Sequence, residues 1–130
     1  MKTFNVNTLL RESVNHIQHV CHTAASTGGW WGTPDNDPRD NLYCFSNKLC
    51  LIHSEISEAM EGDRKASNDD HLPHRSAREV ELADAVIRIF DLAGAYDLDL
   101  AGALDEKLQY NVERADHKAS ARSGVGGKTY

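Results

Sequence analysis

At 130 residues the chain fits one domain, and 40% hydrophobic with 26% charged residues is the make-up of a folded protein, not a disordered one. The net charge of −6 argues against a nucleic acid polymer as partner and suits a site that takes cations first and an anionic substrate through them. No apolar run reaches membrane-spanning length, the opening MKTFNVNTLL lacks the apolar core of a signal peptide, and Cys21, Cys44 and Cys50 form no C-x-x-C pair, which fits reduced, packed thiols in a cytoplasmic protein.

Helical periodicity dominates and strand signals are nearly absent, so the expected class is all-α, with four helices. The first is expected over about residues 7–24, capped by Asn7, with an apolar arc from Leu9 and Leu10 through Val14, Ile17, Val20 and Cys21 to Ala24. His16, His19 and His22 drift across its polar side and read as surface histidines, since Zn²⁺ would lack a fourth ligand. The Gly-, Pro- and Asp-rich STGGWWGTPDNDPRD is a loop. Trp30 and Trp31 within it could stack on a base, or else cap the bundle or a subunit contact.

The second helix is expected over about 40–65, capped by Asp40, with a core face of Leu42, Phe45, Leu49, Ile52, Ile56, Ala59 and Met60, and with Gly62 marking its fraying end. It carries Glu55, Glu58 and Glu61 at steps of three. Residues so spaced are neighbours, about 5–6 Å between Cβ atoms, and like charges there repel. Glu55 and Glu58 flank the apolar arc, whereas Glu61 lies further round and reads as solvated. The polar KASNDDHLPHR follows, in which His71 and His74 carry no signal.

The third helix opens with a capping box, Ser76 and Glu79, and continues to about Gly94. Its apolar residues cover most of its circumference, so it should be largely buried, yet Glu81, Asp84, Arg88 and Asp91 share one narrow stripe. Buried acids are costly unless paired or coordinating metal. The bland alternative is a solvent face on which Arg88 pairs Glu81 or Asp84. Two E-x-x-[ED] pairs on successive helices, Glu55/Glu58 and Glu81/Asp84, would face each other if the helices pack antiparallel. Four such carboxylates make an oxygen-rich site for Mg²⁺, with Mn²⁺ a close second.

The fourth helix is expected from Asp97 or Asp99 to about 117, with Leu100, Leu104, Leu108 and Ala115 as its apolar face. Lys107, Asn111 and Arg114 share that face, beside Tyr110. They would meet phosphate oxygens, or snorkel at the bundle edge. The closing SARSGVGGKTY reads as loop. Its GVGGKT mimics a phosphate-binding loop, but Arg122 stands where the first glycine belongs, and no strand precedes it.

KLCLIHSEISEAMEG, EVELADAVIRIFDLAG and KLQYNVERADHK resemble the MazG-like all-α nucleoside triphosphate pyrophosphohydrolases over about residues 40–117, and GGKTY does so more weakly. That family's E-x-x-E and E-x-x-D signature falls on Glu55, Glu58, Glu81 and Asp84, and its Lys-to-Asn pair on Lys107 and Asn111. The resemblance implies a four-helix bundle over residues 1–117 with a tail over 118–130, completed by self-association as a homodimer or a dimer of dimers (a homotetramer). It also implies Mg²⁺-dependent cleavage of a nucleoside triphosphate to monophosphate and pyrophosphate. Glu55 or Glu58 would then activate water, Lys107 and Arg114 would hold the outer phosphates, and Asn111 would bond phosphate or sugar. The tryptophan loop would supply the base pocket, with a lean to dGTP or GTP. A non-catalytic metal- or nucleotide-binding sensor module is the alternative. A ferritin-like di-iron protein is not, because neither Glu55 nor Glu81 has a histidine three residues on.

Overall fold

A computed structural model describes residues 6–114 and 118–128. The helices are α1 (Val6–Thr27), α2 (Cys44–Lys65), α3 (Ala77–Ala95), α4 (Leu100–Glu113) and α5 (Ala119–Arg122), with a 3₁₀ turn at Pro38–Asp40. The fold is all-α, with no strand among the described residues and only two isolated bridges, Thr33–Asn36 and Asn68–Ser76. No helix among them is long and apolar enough to cross a membrane. The chain groups into two compact units, one of His16–Leu98 and one of residues 1–15 with 99–130.

In the first of these units, α1 gives way to a loop whose turn needs Gly32, at φ +66, where any Cβ would run into the Asn36 carbonyl. Asp40 does not cap α2. Pro38 presets a 3₁₀ turn capped by Asp37, which accepts the Arg39 N–H at 2.9 Å, so Asp40 is consumed in that turn. The helix starts four residues later, where Asn41 Oδ1 accepts the Tyr43 N–H. Leu42, expected in the core, is left exposed. The capping box at α3 is complete, Ser76 accepting from Glu79 N–H and Glu79 accepting from Ser76 N–H.

Helices α2 and α3 form an antiparallel hairpin, with Gly62 against Ala77 at its closed end, Glu55 against Arg88 midway, and Cys44 and Phe45 near Tyr96 at the far end. Gly62 is buried within α2 and does not mark a frayed terminus. A Cβ there would stand 2.7 Å from that of Ala77, so only glycine permits this approach. The seam is lined by small and polar residues, Glu55, Ala59, Gly62, Ala77 and Ala85. The apolar arcs expected to be buried lie bare instead: Leu49, Ile56 and Met60 on α2, and Leu82, Val86 and Ile89 on α3. The close helix approach selects small side chains for the seam and turns the branched ones outward. Trp31, Cys44, Leu92 and Ala95 make the local core, with Tyr96 packed against it. Cys21, Cys44 and Cys50 are all free thiols, the first two buried and the third exposed.

In the second unit, Asp99 caps α4 through the Gly102 N–H at 2.8 Å. The buried side of α4 is Ala101, Gly102 and Asp105, while Leu108 is exposed. Asp105 is satisfied by Arg11 Nε at 2.7 Å and Gln109 Nε2 at 2.8 Å. The helix ends at Glu113, with Arg114 already non-helical, short of the expected end at about 117; Ala115 lies outside the described residues, as do Thr129 and Tyr130 of GGKTY. The tail contains the single-turn α5 where a loop was expected.

Candidate functional site

The hairpin sets the acids opposite one another. Glu55 reaches into the seam from α2, and Glu81 and Asp84, one turn apart, reach in from α3. One carboxylate oxygen from each of the three lies within 4.8 Å of the others. Glu58 stands one turn along α2 from Glu55, more exposed, and shares with those three a cavity of about 540 Å³.

The polar stripe of α3 is thus an inner surface and not a solvent face, and Arg88 pairs with neither Glu81 nor Asp84. Its Nε bonds Glu55 Oε1 at 2.5 Å across the seam. Burial, then the Glu58 charge and the hydrogen bond with Glu55, hold Glu81 above the usual carboxylate range. Burial and the Glu55 charge do the same to Asp84, with Arg88 opposing them. Crowded hard oxygens whose charged forms are disfavoured are the donor set a small divalent ion relieves, so these residues fit Mg²⁺ or Mn²⁺. Glu61 is engaged elsewhere, by Arg64 at 3.2 Å and Lys65 at 2.9 Å along its own helix surface.

Asp69 and His71, from the α2–α3 connection, also line this cavity. Asp69 Oδ1 accepts the N–H groups of His71 and Leu72 and folds the connection over the site. Nothing in a polar segment without periodicity could have singled them out.

A second cavity, of about 640 Å³, adjoins the first, and Asp84 and Arg88 line both. Ala24, Leu51 and Ile87 form apolar wall, Trp30 and Lys48 contribute from the loop and α2, and Asp91 from α3. The two tryptophans therefore differ. Trp30 is 71% exposed and lines this cavity. Trp31 is buried, with its indole N–H donated to Asp91 Oδ1 at 2.7 Å. His22 Nδ1 meets the same oxygen at 2.9 Å, which separates it from the exposed His16 and His19. Cys21 also borders the cavity, and burial pushes its thiol up, as suits a packed and unreactive side chain.

In the other unit, Lys107 Nζ and Arg114 Cζ lie 4.7 and 5.8 Å from the Tyr110 ring centroid, and Asn111 Oδ1 is buried without a hydrogen-bond partner among the described residues. Lys107 and Arg114 thus both meet the Tyr110 ring.

No protein-family model matches the chain, and neither a curated protein nor a solved structure does.

Proposed function

We propose that the chain is a MazG-like hydrolase that cleaves the α–β phosphoanhydride of a nucleoside triphosphate, guanine nucleotides foremost, and releases the monophosphate and pyrophosphate. The observation that carries this reading is the convergence of Glu55, Glu81 and Asp84 oxygens within 4.8 Å, from the two helices that bear the paired acid motifs. These three residues would hold the ion. When bound, Mg²⁺ or Mn²⁺ supplies Lewis-acid charge to the phosphate oxygens as the anhydride breaks.

Glu58 is the acid best suited to take the proton of the attacking water, because Glu55 is engaged by Arg88 while Glu58 is exposed on the same cavity. Water adds to phosphorus, the bond to the bridging oxygen breaks, pyrophosphate leaves, and the proton passes to the Glu58 carboxylate. Lys107, Asn111 and Arg114, with Tyr110 beside them, would grip phosphate and sugar; Asn111 Oδ1, buried with no hydrogen-bond partner among the described residues, supports a ligand-facing role. The bare apolar arcs of α2 and α3 support self-association as a dimer or dimer of dimers. The free thiols suit a cytoplasmic enzyme.

The test is product analysis with each of the eight common NTPs and dNTPs in Mg²⁺. Equal amounts of monophosphate and pyrophosphate are expected. Binding without turnover would instead point to the non-catalytic module, and release of orthophosphate would sink the assignment of the cleaved bond.

A further inference from the structure

The cavity beside the acids has polar features that the acid chemistry does not use. Asp91 and Lys48 both face it, yet form no ion pair with each other among the described residues. The two donors to Asp91, from His22 and Trp31, both fall on Oδ1, which fixes the carboxylate and leaves Oδ2 without a protein hydrogen bond among the described residues. Lys48 Nζ rests 4.6 Å from the Trp31 ring centroid, which steadies its ammonium group without consuming its donors. A held acceptor and a held donor, kept apart in one cavity, are the two halves of a recognition edge. Ile87 supplies apolar wall and the exposed indole of Trp30 a stacking face. Asp84 and Arg88 border both cavities, so a ligand spanning them would set one end here and its anionic end beside the carboxylates.

We propose that this cavity binds the base of the substrate and selects guanine, with Asp91 Oδ2 accepting the ring and amino N–H groups, Lys48 donating to the carbonyl oxygen, and Trp30 stacking on the ring. Guanine is the common base that puts one carbonyl acceptor and two adjacent N–H donors on a single edge. Uracil and thymine turn a second carbonyl toward the carboxylate, and cytosine and adenine offer a single amino group. A site whose polar groups are left unpaired by the wrong ligand rejects it strongly. The volume of about 640 Å³ is ample for a purine.

The inference rests on the hydrolase reading for the placement of the phosphates, but its test needs no turnover. Calorimetric titration with the α,β-methylene analogues of GTP, ATP, CTP and UTP in Mg²⁺ is expected to give at least tenfold tighter binding of the guanine analogue. Because Asp91 also secures His22 and Trp31, the decisive variant is Lys48→Met, checked first for an unchanged melting temperature. It should reduce the guanine preference to under threefold while leaving the adenine analogue's affinity nearly unaltered. Trp30→Ala should weaken all four analogues by about tenfold and keep their ranking. Equal affinities in the parent protein, or an undiminished preference in Lys48→Met, overturns the proposal. Guanine-selective binding without pyrophosphate release overturns the hydrolase reading and leaves the pocket standing; pyrophosphate release with no base preference does the reverse.

Discussion

Arg88 Nε lies 2.5 Å from Glu55 Oε1, joining a half-exposed guanidinium on α3 to a nearly buried carboxylate on α2. Glu55 sits where a side chain ought to be apolar, and Arg88 supplies the positive charge that makes its ionisation tolerable. A divalent cation would do the same service, so a bound ion would compete with Arg88 for this carboxylate.

Arg88→Met should therefore destabilise the protein in chelator. Breaking a buried pair costs about 3–5 kcal/mol, and the exposure of Arg88 reduces this to about 1–2 kcal/mol. Adding Mg²⁺ or Mn²⁺ should raise the variant's melting temperature by more than it raises the parent's. Thermal melts with and without the ion check this, and a variant that melts with the parent in chelator removes the counter-ion role.

Glu81 and Asp84 titrate above the usual carboxylate range. The folded state thus keeps protons that the unfolded chain has released. Stability of the ion-free protein falls as pH rises from about 4, the unfolded value, through the raised folded values. Glu81→Gln deletes one of the repelling charges. In chelator at pH 7 it should melt a few degrees higher, on the order of 0.5–1 kcal/mol for a partly exposed charge, and the difference should vanish near pH 4. Scanning calorimetry across that range decides it; a variant less stable than the parent at pH 7 contradicts the electrostatic account.

Glu58→Gln and Asp84→Asn should both abolish measurable turnover, for different reasons. Loss of a general base costs about 10²–10⁴-fold in rate, with Mn²⁺ affinity nearly unchanged. Loss of a ligand weakens Mn²⁺ itself. Paired kinetics and Mn²⁺ titrations separate the two, and a Glu58→Gln variant near the parental rate would exclude Glu58 as the base.

Asp105 is held below the usual carboxylate range by Arg11 and then Gln109. Its contribution is complete above about pH 4 and disappears as pH falls through the depressed folded value. Asp105→Asn is expected to melt below the parent at pH 7 and to converge with it under strongly acidic conditions. Melts that stay parallel down to acid would show that the carboxylate's charge contributes nothing.

Ile56, 48% exposed in the single chain, sits mid-way along the bare arc of α2. Ile56→Glu should shift the protein to a smaller species in light scattering after size exclusion, with helical circular dichroism retained. An unchanged mass would place any subunit contact elsewhere.

Much of the fold was legible because its signals are local. The Ser76 capping box, the polar break before Pro73, and the Asp99 start of α4 each depend on residues within one turn. The acids were legible for a related reason, since pairs spaced by three stay on one face whatever the helix packs against. What failed was the choice of inner face. Apolar periodicity pointed Ile56 and Val86 inward, but the seam between α2 and α3 is too narrow for branched side chains and takes alanine, glycine and a carboxylate instead. Asp69 and His71 were invisible because a connecting segment owes its placement to chain closure, which leaves no period to read. Trp30 and Trp31 are adjacent in sequence, and only their burial and the Asp91 hydrogen bond of Trp31 tell them apart.

The contact of Gly62 with Ala77 works as a spacer of no thickness. Glu55 lies seven residues away along α2, about 10.5 Å at the rise of an α-helix, so the gauge set at the closed end carries through to the carboxylates. A methyl group at position 62 would wedge the two rods apart and spread the oxygens they carry. A wider cage suits calcium better than magnesium, which demands short and near-ideal coordination. One missing side chain, seven residues from Glu55, would thereby tune the radius of any ion held there.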